Sequence, residues 1–255
     1  MHKFVNEFMH KVIAIAILIL YALVSCAKED TMVNEPSFNT YNTPVARPVV
    51  NDTAAPRYLL ALGDSYTIGQ SVDEADRFPA QATKLLNEEG VHFDAPEIIA
   101  QTGWTTGNLL SSLAYAAPAK PAYDIVTLLI GVNNQYQHRT QQEYTDEFLI
   151  LLNKAIQYAG GNKKRVIILS IPDYGVTPFA SASDKVLIAM EIDAFNAINR
   201  RISENAGVHY LYITQSTRLA ANDASLIAND GLHPSGKEYK VWAEGLVPII
   251  KGALQ

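Results

Sequence analysis

From residue 57 onward the chain runs in short apolar blocks separated by longer amphipathic ones. Apolar runs fall at 58–62, 97–100, 125–130, 166–171 and 208–213, and each reads as a strand. Between and after them, 79–89, 106–115, 141–159, 184–206 and 236–250 read as helices. In the fourth of these, Ile188, Ile192, Phe195, Ile198 and Ile202 keep helical spacing, which marks a face packed on a sheet. Strand and helix alternating in this way predicts an α/β fold with a parallel sheet covered on both sides. In such sheets sites form outside the carboxyl ends of the strands.

The region before residue 57 is different. Lys3 and Lys11 precede an apolar stretch at 12–24 that is short for a membrane span and reads as the core of a secretory signal. It ends in Leu23-Val24-Ser25-Cys26, which resembles a lipobox. The expectation is a lipoprotein signal peptide at 1–25, with Cys26 lipidated as the mature N-terminus. An ordinary signal peptide or an uncleaved anchor fits the same leader. Residues 26–56 are polar, carry Pro36, Pro44, Pro48 and Pro56, and keep no periodicity, so they read as an extended tether. Ala27-Lys28-Glu29-Asp30 resembles the surface-export signal of some Gram-negative lipoproteins. The expected location is the bacterial cell envelope, anchored to the outer membrane through Cys26, with the choice of membrane face left open.

Composition removes some alternatives. The formal charge of −6 and scattered basic residues argue against a nucleic-acid binder. Cys26 is the single cysteine, so no intrachain disulfide supports the fold. His92, His138 and His209 have no metal-site spacing and read as surface or strand-end residues; no metal or organic cofactor is expected.

The candidate chemistry lies at two places far apart in sequence. Gly63-Asp64-Ser65 follows the first apolar run, and Asp230-Gly231-Leu232-His233-Pro234 precedes the last helix. A serine hydroxyl becomes a nucleophile when a base takes its proton, and that base needs a third group to fix its tautomer. Ser65, His233 and Asp230 fit these three roles. Asp64, next to the serine, reads as a loop-bonding residue and not as the acid. Either half alone would read as an ordinary turn, since glycine and aspartate favour turns without any chemistry.

Two further segments, Gly103-Trp104-Thr105-Thr106-Gly107 and Gly131-Val132-Asn133-Asn134, follow strand-like runs between the halves. With them the chain resembles the SGNH subgroup of the GDSL hydrolases from residue 57 to the C-terminus. The matching residues are Ser65, Gly103, Asn133, Asp230 and His233, in the family's order. Tyr66 stands where leucine is usual. Asn134 stands where aspartate is usual, which removes a carboxylate beside Asn133. The resemblance implies a three-layer, flavodoxin-like fold with a five-stranded parallel sheet over 57–255. It also implies an oxyanion hole made by the backbone N–H groups of Ser65 and Gly103 and the Asn133 side chain.

A serine esterase acting through an acyl-enzyme is therefore expected, on a small-molecule or carbohydrate ester. Short acyl chains are favoured because no long amphipathic insertion between the motifs could form a lid. Lysophospholipase, thioesterase and acyltransferase activities remain alternatives, as does a non-catalytic lipid-anchored binding protein on the same fold. Tyr174 and Phe179, in the loop after the fourth strand, are candidate pocket walls, as are Gln135 and Tyr136. Oligomeric state is not readable.

Overall fold

The computed structural model describes residues 55–255. The leader at 1–25, Cys26 and all but the end of the 26–56 tether lie outside the described residues.

Five strands form one parallel sheet: β1 Leu59–Gly63, β2 Glu97–Ala100, β3 Ile125–Leu129, β4 Val166–Leu169 and β5 His209–Leu211. Their order across the sheet is β2-β1-β3-β4-β5. The three inner strands are buried at every residue, whereas the edge strands β2 and β5 are half-buried throughout. This is why the inner runs are the most apolar of the five: both faces of each strand meet helices.

Five long helices cover the sheet, as the periodicity predicts: α2 Phe78–Glu88, α3 Thr106–Tyr115, α5 Gln141–Tyr158, α6 Lys185–Ala206 and α8 Gly236–Ala253. Helix α2 packs on α8, and α3 and α6 both pack on α5, giving the three-layer arrangement. Ile188, Ile192, Phe195 and Ile202 of α6 are buried, with Ile198 partly so. Three short helices have too few turns to leave a periodic trace: α1 Ser65–Ile68, α4 Val132–Tyr136 and α7 Thr214–Arg218.

The strands β4 and β5 stop earlier than the apolar runs suggest. Ser170 ends them, because its Oγ accepts from the N–H groups of Ile213 and Thr214 at 2.8 and 3.0 Å. A side chain there replaces the next rung of the ladder.

Register then sets the site. Gly63 is paired with Ala100 on one side and with Leu129 on the other. The carboxyl ends of β2, β1 and β3 are therefore level. The chain leaves β1 for β2 on one flank and later returns to β3 on the other, so the order reverses beside β1. Crevices open at such reversals. The loops carrying Ser65, Gly103 and Asn133 leave from these three level ends.

Candidate active site

Ser65 is the first residue of α1, immediately beyond β1. Asp64 caps this helix: its Oδ1 accepts from the Tyr66 N–H at 3.0 Å. Asp64 thus bonds the loop, as expected from its position. It is completely buried, and its Oδ2 has no hydrogen-bond partner among the described residues. Burial pushes its carboxyl up to about 7, against the opposing pull of the Tyr66 N–H.

His233 and Asp230 lie in the turn before α8. Gly231 has a φ of +72°, the left-handed conformation that glycine adopts at no steric cost. This lets the turn fold back, so that Asp230 Oδ1 accepts from the N–H groups of Leu232 and His233 at 2.9 and 3.0 Å. The other carboxylate oxygen, Oδ2, lies 2.6 Å from His233 Nδ1 and accepts from Ser71 Oγ at 2.7 Å. Partial burial works against ionisation of Asp230. Hydrogen bonds from Ser71, from His233 and from the two backbone N–H groups outweigh it and hold the carboxyl well below the usual carboxylate range. An ionised Asp230 can only accept, so Nδ1 of His233 carries the proton. The basic nitrogen of the ring is then Nε2.

Ser65, Asn133 and His233 line one cleft of about 110 Å³. Its remaining walls are Tyr66, Val132, Tyr136, Tyr174, Phe179 and Leu232, none of them charged. Tyr136, Tyr174 and Phe179 form a cluster with ring centroids 6.0 to 6.3 Å apart. The Phe179 N–H donates to the Gly231 carbonyl at 3.0 Å, which ties this wall to the His233 turn. Gln135 is not part of the wall: it is buried and donates to Glu191 at 2.6 Å.

Asn133 belongs to α4, just beyond β3. One hydrogen of its amide is held by the Trp104 carbonyl at 3.0 Å, which orients the group. Gly103, one residue earlier, is exposed with a φ of +82° and is not among the lining residues. Its carbonyl accepts from Gln137 at 3.3 Å, while its N–H has no partner among the described residues.

Two contacts of the site had no signal in the sequence. Tyr66, in place of leucine, is buried with its ring centroid 5.1 Å from that of His233. Ser71, in the loop after α1, supplies the hydroxyl on Asp230. Among the described residues no group of three or more His, Cys, Asp or Glu could hold a metal ion, and no helix is long and apolar enough to cross a membrane.

Residues 61–241 match the model of the GDSL-like Lipase/Acylhydrolase family. No curated protein matches the chain. Among solved structures, the lipase/acylhydrolase from Enterococcus faecalis superposes with a TM-score of 0.60 at 20% identity, over 78% of this chain and 97% of its own. TesA gives 0.59 at 19% identity, over 78% and 100%. Axe2, an acetylxylan esterase from Geobacillus stearothermophilus, gives 0.57 at 17% identity, over 76% and 94%. At these identities the likeness is one of fold. The family match spans most of the chain, and the protein belongs to the GDSL-like lipase/acylhydrolase family.

Proposed function

We propose that the protein is a serine esterase that cleaves carboxylic esters through an acyl-enzyme, with Ser65 as nucleophile, His233 as general base and Asp230 as the orienting acid. The observation that carries this reading is the 2.6 Å contact between His233 Nδ1 and Asp230 Oδ2, with His233 lining the same cleft as Ser65. In the reaction, Nε2 of His233 takes the Ser65 proton as Oγ attacks the ester carbonyl. The tetrahedral intermediate carries its negative charge on the former carbonyl oxygen. The Ser65 and Gly103 N–H groups and the Asn133 amide are the donors for that oxygen. Collapse expels the alcohol, which leaves with the proton held on His233. Water then repeats the sequence on the acyl-enzyme, releasing the acid and restoring Ser65.

The acyl chains are short and the substrate is uncharged where it meets the cleft. A volume of about 110 Å³ lies below the usual range of ligand pockets, and no charged side chain lines the walls. Axe2, a neighbour in fold, is named for a carbohydrate acetyl ester, which fits a small acyl group on a polar alcohol. The protein acts at the outer membrane, held there by a lipid on Cys26.

Turnover of p-nitrophenyl esters from acetate to palmitate, with detergent controls for micelles, tests both parts. The expected result is a maximum of kcat/KM at four carbons or fewer, abolished by Ser65→Ala and by His233→Ala in folded protein. A maximum at eight carbons or longer would remove the short-chain reading and favour a lysophospholipase. Wild-type turnover by Ser65→Ala would remove the nucleophile assignment.

A further inference from the structure

Ser71 has a φ of +67°; the other non-glycine residue with a positive φ among those described is His138, at +55°. L side chains adopt this conformation at a steric cost that glycine does not incur. Strained residues of this kind persist where the surrounding structure over-determines them, and they cluster at functional sites. At Ser71 the side chain has a task that glycine could not perform. Its Oγ donates to Asp230 Oδ2 at 2.7 Å, across a sequence separation of 159 residues.

The Asp230 carboxylate receives four donors. Oδ1 takes the backbone N–H groups of Leu232 and His233, and Oδ2 takes Ser71 and His233 Nδ1. Two donors on each oxygen use all of its good acceptor directions. Three of the four come from the turn that contains Asp230 itself. Ser71 is the donor from outside, on the loop that leaves the Ser65 helix. It therefore couples the two halves of the site: the position of the serine loop fixes the rotation of the carboxylate, and the carboxylate fixes the imidazole.

We propose that Ser71 is a positioning residue of the hydrolytic site, its strained backbone retained so that its hydroxyl can hold the Asp230 carboxylate in register with His233. This rests on the reading of Ser65, His233 and Asp230 given above.

The experiment compares Ser71→Gly with Ser71→Ala on p-nitrophenyl acetate, with thermal melting alongside. Both variants lack the hydroxyl, but glycine relieves the backbone strain and alanine keeps it. The expected result is an equal fall in kcat, about tenfold, in both variants, as for loss of one hydrogen bond to a charged group. KM should stay within about twofold, and the glycine variant should melt above the alanine variant. Parental kcat in the glycine variant would overturn the proposal, and so would kcat falling only in the less stable variant. A Ser65→Ala control separates the two levels. If it is inactive while Ser71→Gly is fully active, only the role of Ser71 fails; if it is active, the site assignment itself fails.

Discussion

Asn134 and Thr106 clasp each other across the two loops that carry Asn133 and Gly103. The Thr106 N–H donates to Asn134 Oδ1 at 3.0 Å, and Asn134 Nδ2 donates to Thr106 Oγ1 at 2.6 Å. The Thr106 hydroxyl in turn donates its own proton to Glu147. An amide can both give and accept in this arrangement, whereas a carboxylate can only accept. The residue that departs from the family's usual aspartate is thus matched to its partners, with Glu147 supplying the carboxylate on the far side of Thr106. Asn134→Asp would bury a second acid on the same hydroxyl and leave Oγ1 without a donor. It should cost about 1–3 kcal/mol, read as a lower urea midpoint at unchanged slope. An unchanged midpoint at neutral pH would show that the clasp is not needed.

Asn133 has one amide hydrogen fixed on the Trp104 carbonyl and a second left for the cleft. A donor that meets an oxyanion strengthens in the transition state more than in the bound substrate. Asn133→Ala should therefore lower kcat by about 10²–10³-fold with little change in KM. A change confined to KM would instead make Asn133 a ground-state binding residue.

Asp64 makes the fold sensitive to pH in a direction opposite to most carboxylates. Its pKa rises from 3.8 when unfolded to about 7 when folded. Between these values the folded protein holds a proton that the unfolded chain has lost, so stability falls as pH rises from about 4 to about 7. Below that window the group contributes nothing, and above it the full penalty of a buried charge is present. Asp64→Asn keeps an oxygen for the Tyr66 N–H and removes the titration. Its melting temperature should match the parent near pH 4 and exceed it by about 4 °C or more at pH 8. A difference that does not grow with pH would contradict this.

The anchor is tested on the full chain. Fatty-acid labelling in a Gram-negative host should mark the protein and not Cys26→Ser, and the serine variant should leave the membrane fraction. Several acyl chains are needed for stable attachment, since one gives only marginal binding. Equal labelling of both forms would exclude Cys26.

The strands and long helices were legible because burial on both faces forces continuous apolar runs, and packing on one face forces helical spacing, as at Ile188 and Ile192. Ser65, Gly103 and Asn133 each follow one of those runs and so could be assigned to one edge, whereas the level ends of β1, β2 and β3 are set by register, which the runs do not carry. Asp230 and His233 were legible because they contact each other within one turn. The hydroxyl of Ser71 on Asp230 and the ring of Tyr66 on His233 were not, because a contact between distant segments leaves no local pattern. Gln135 shows the reverse error: adjacency to Asn133 suggested a wall residue, but the turn of α4 points it to Glu191. The edge of β4 was misjudged because Ser170, a polar residue in an apolar run, ends the ladder with its side chain.

The most direct test is to trap the acyl-enzyme position chemically. The folded protein would be treated with a short-chain p-nitrophenyl phosphonate, which leaves a stable tetrahedral adduct on an activated serine. Peptide mapping by mass spectrometry then locates it. The adduct should lie on Ser65, appear with loss of p-nitrophenyl acetate turnover, and be absent from Ser65→Ala and His233→Ala. An adduct on another residue, or inactivation of the Ser65→Ala protein to the same extent, would contradict the assignment of the nucleophile.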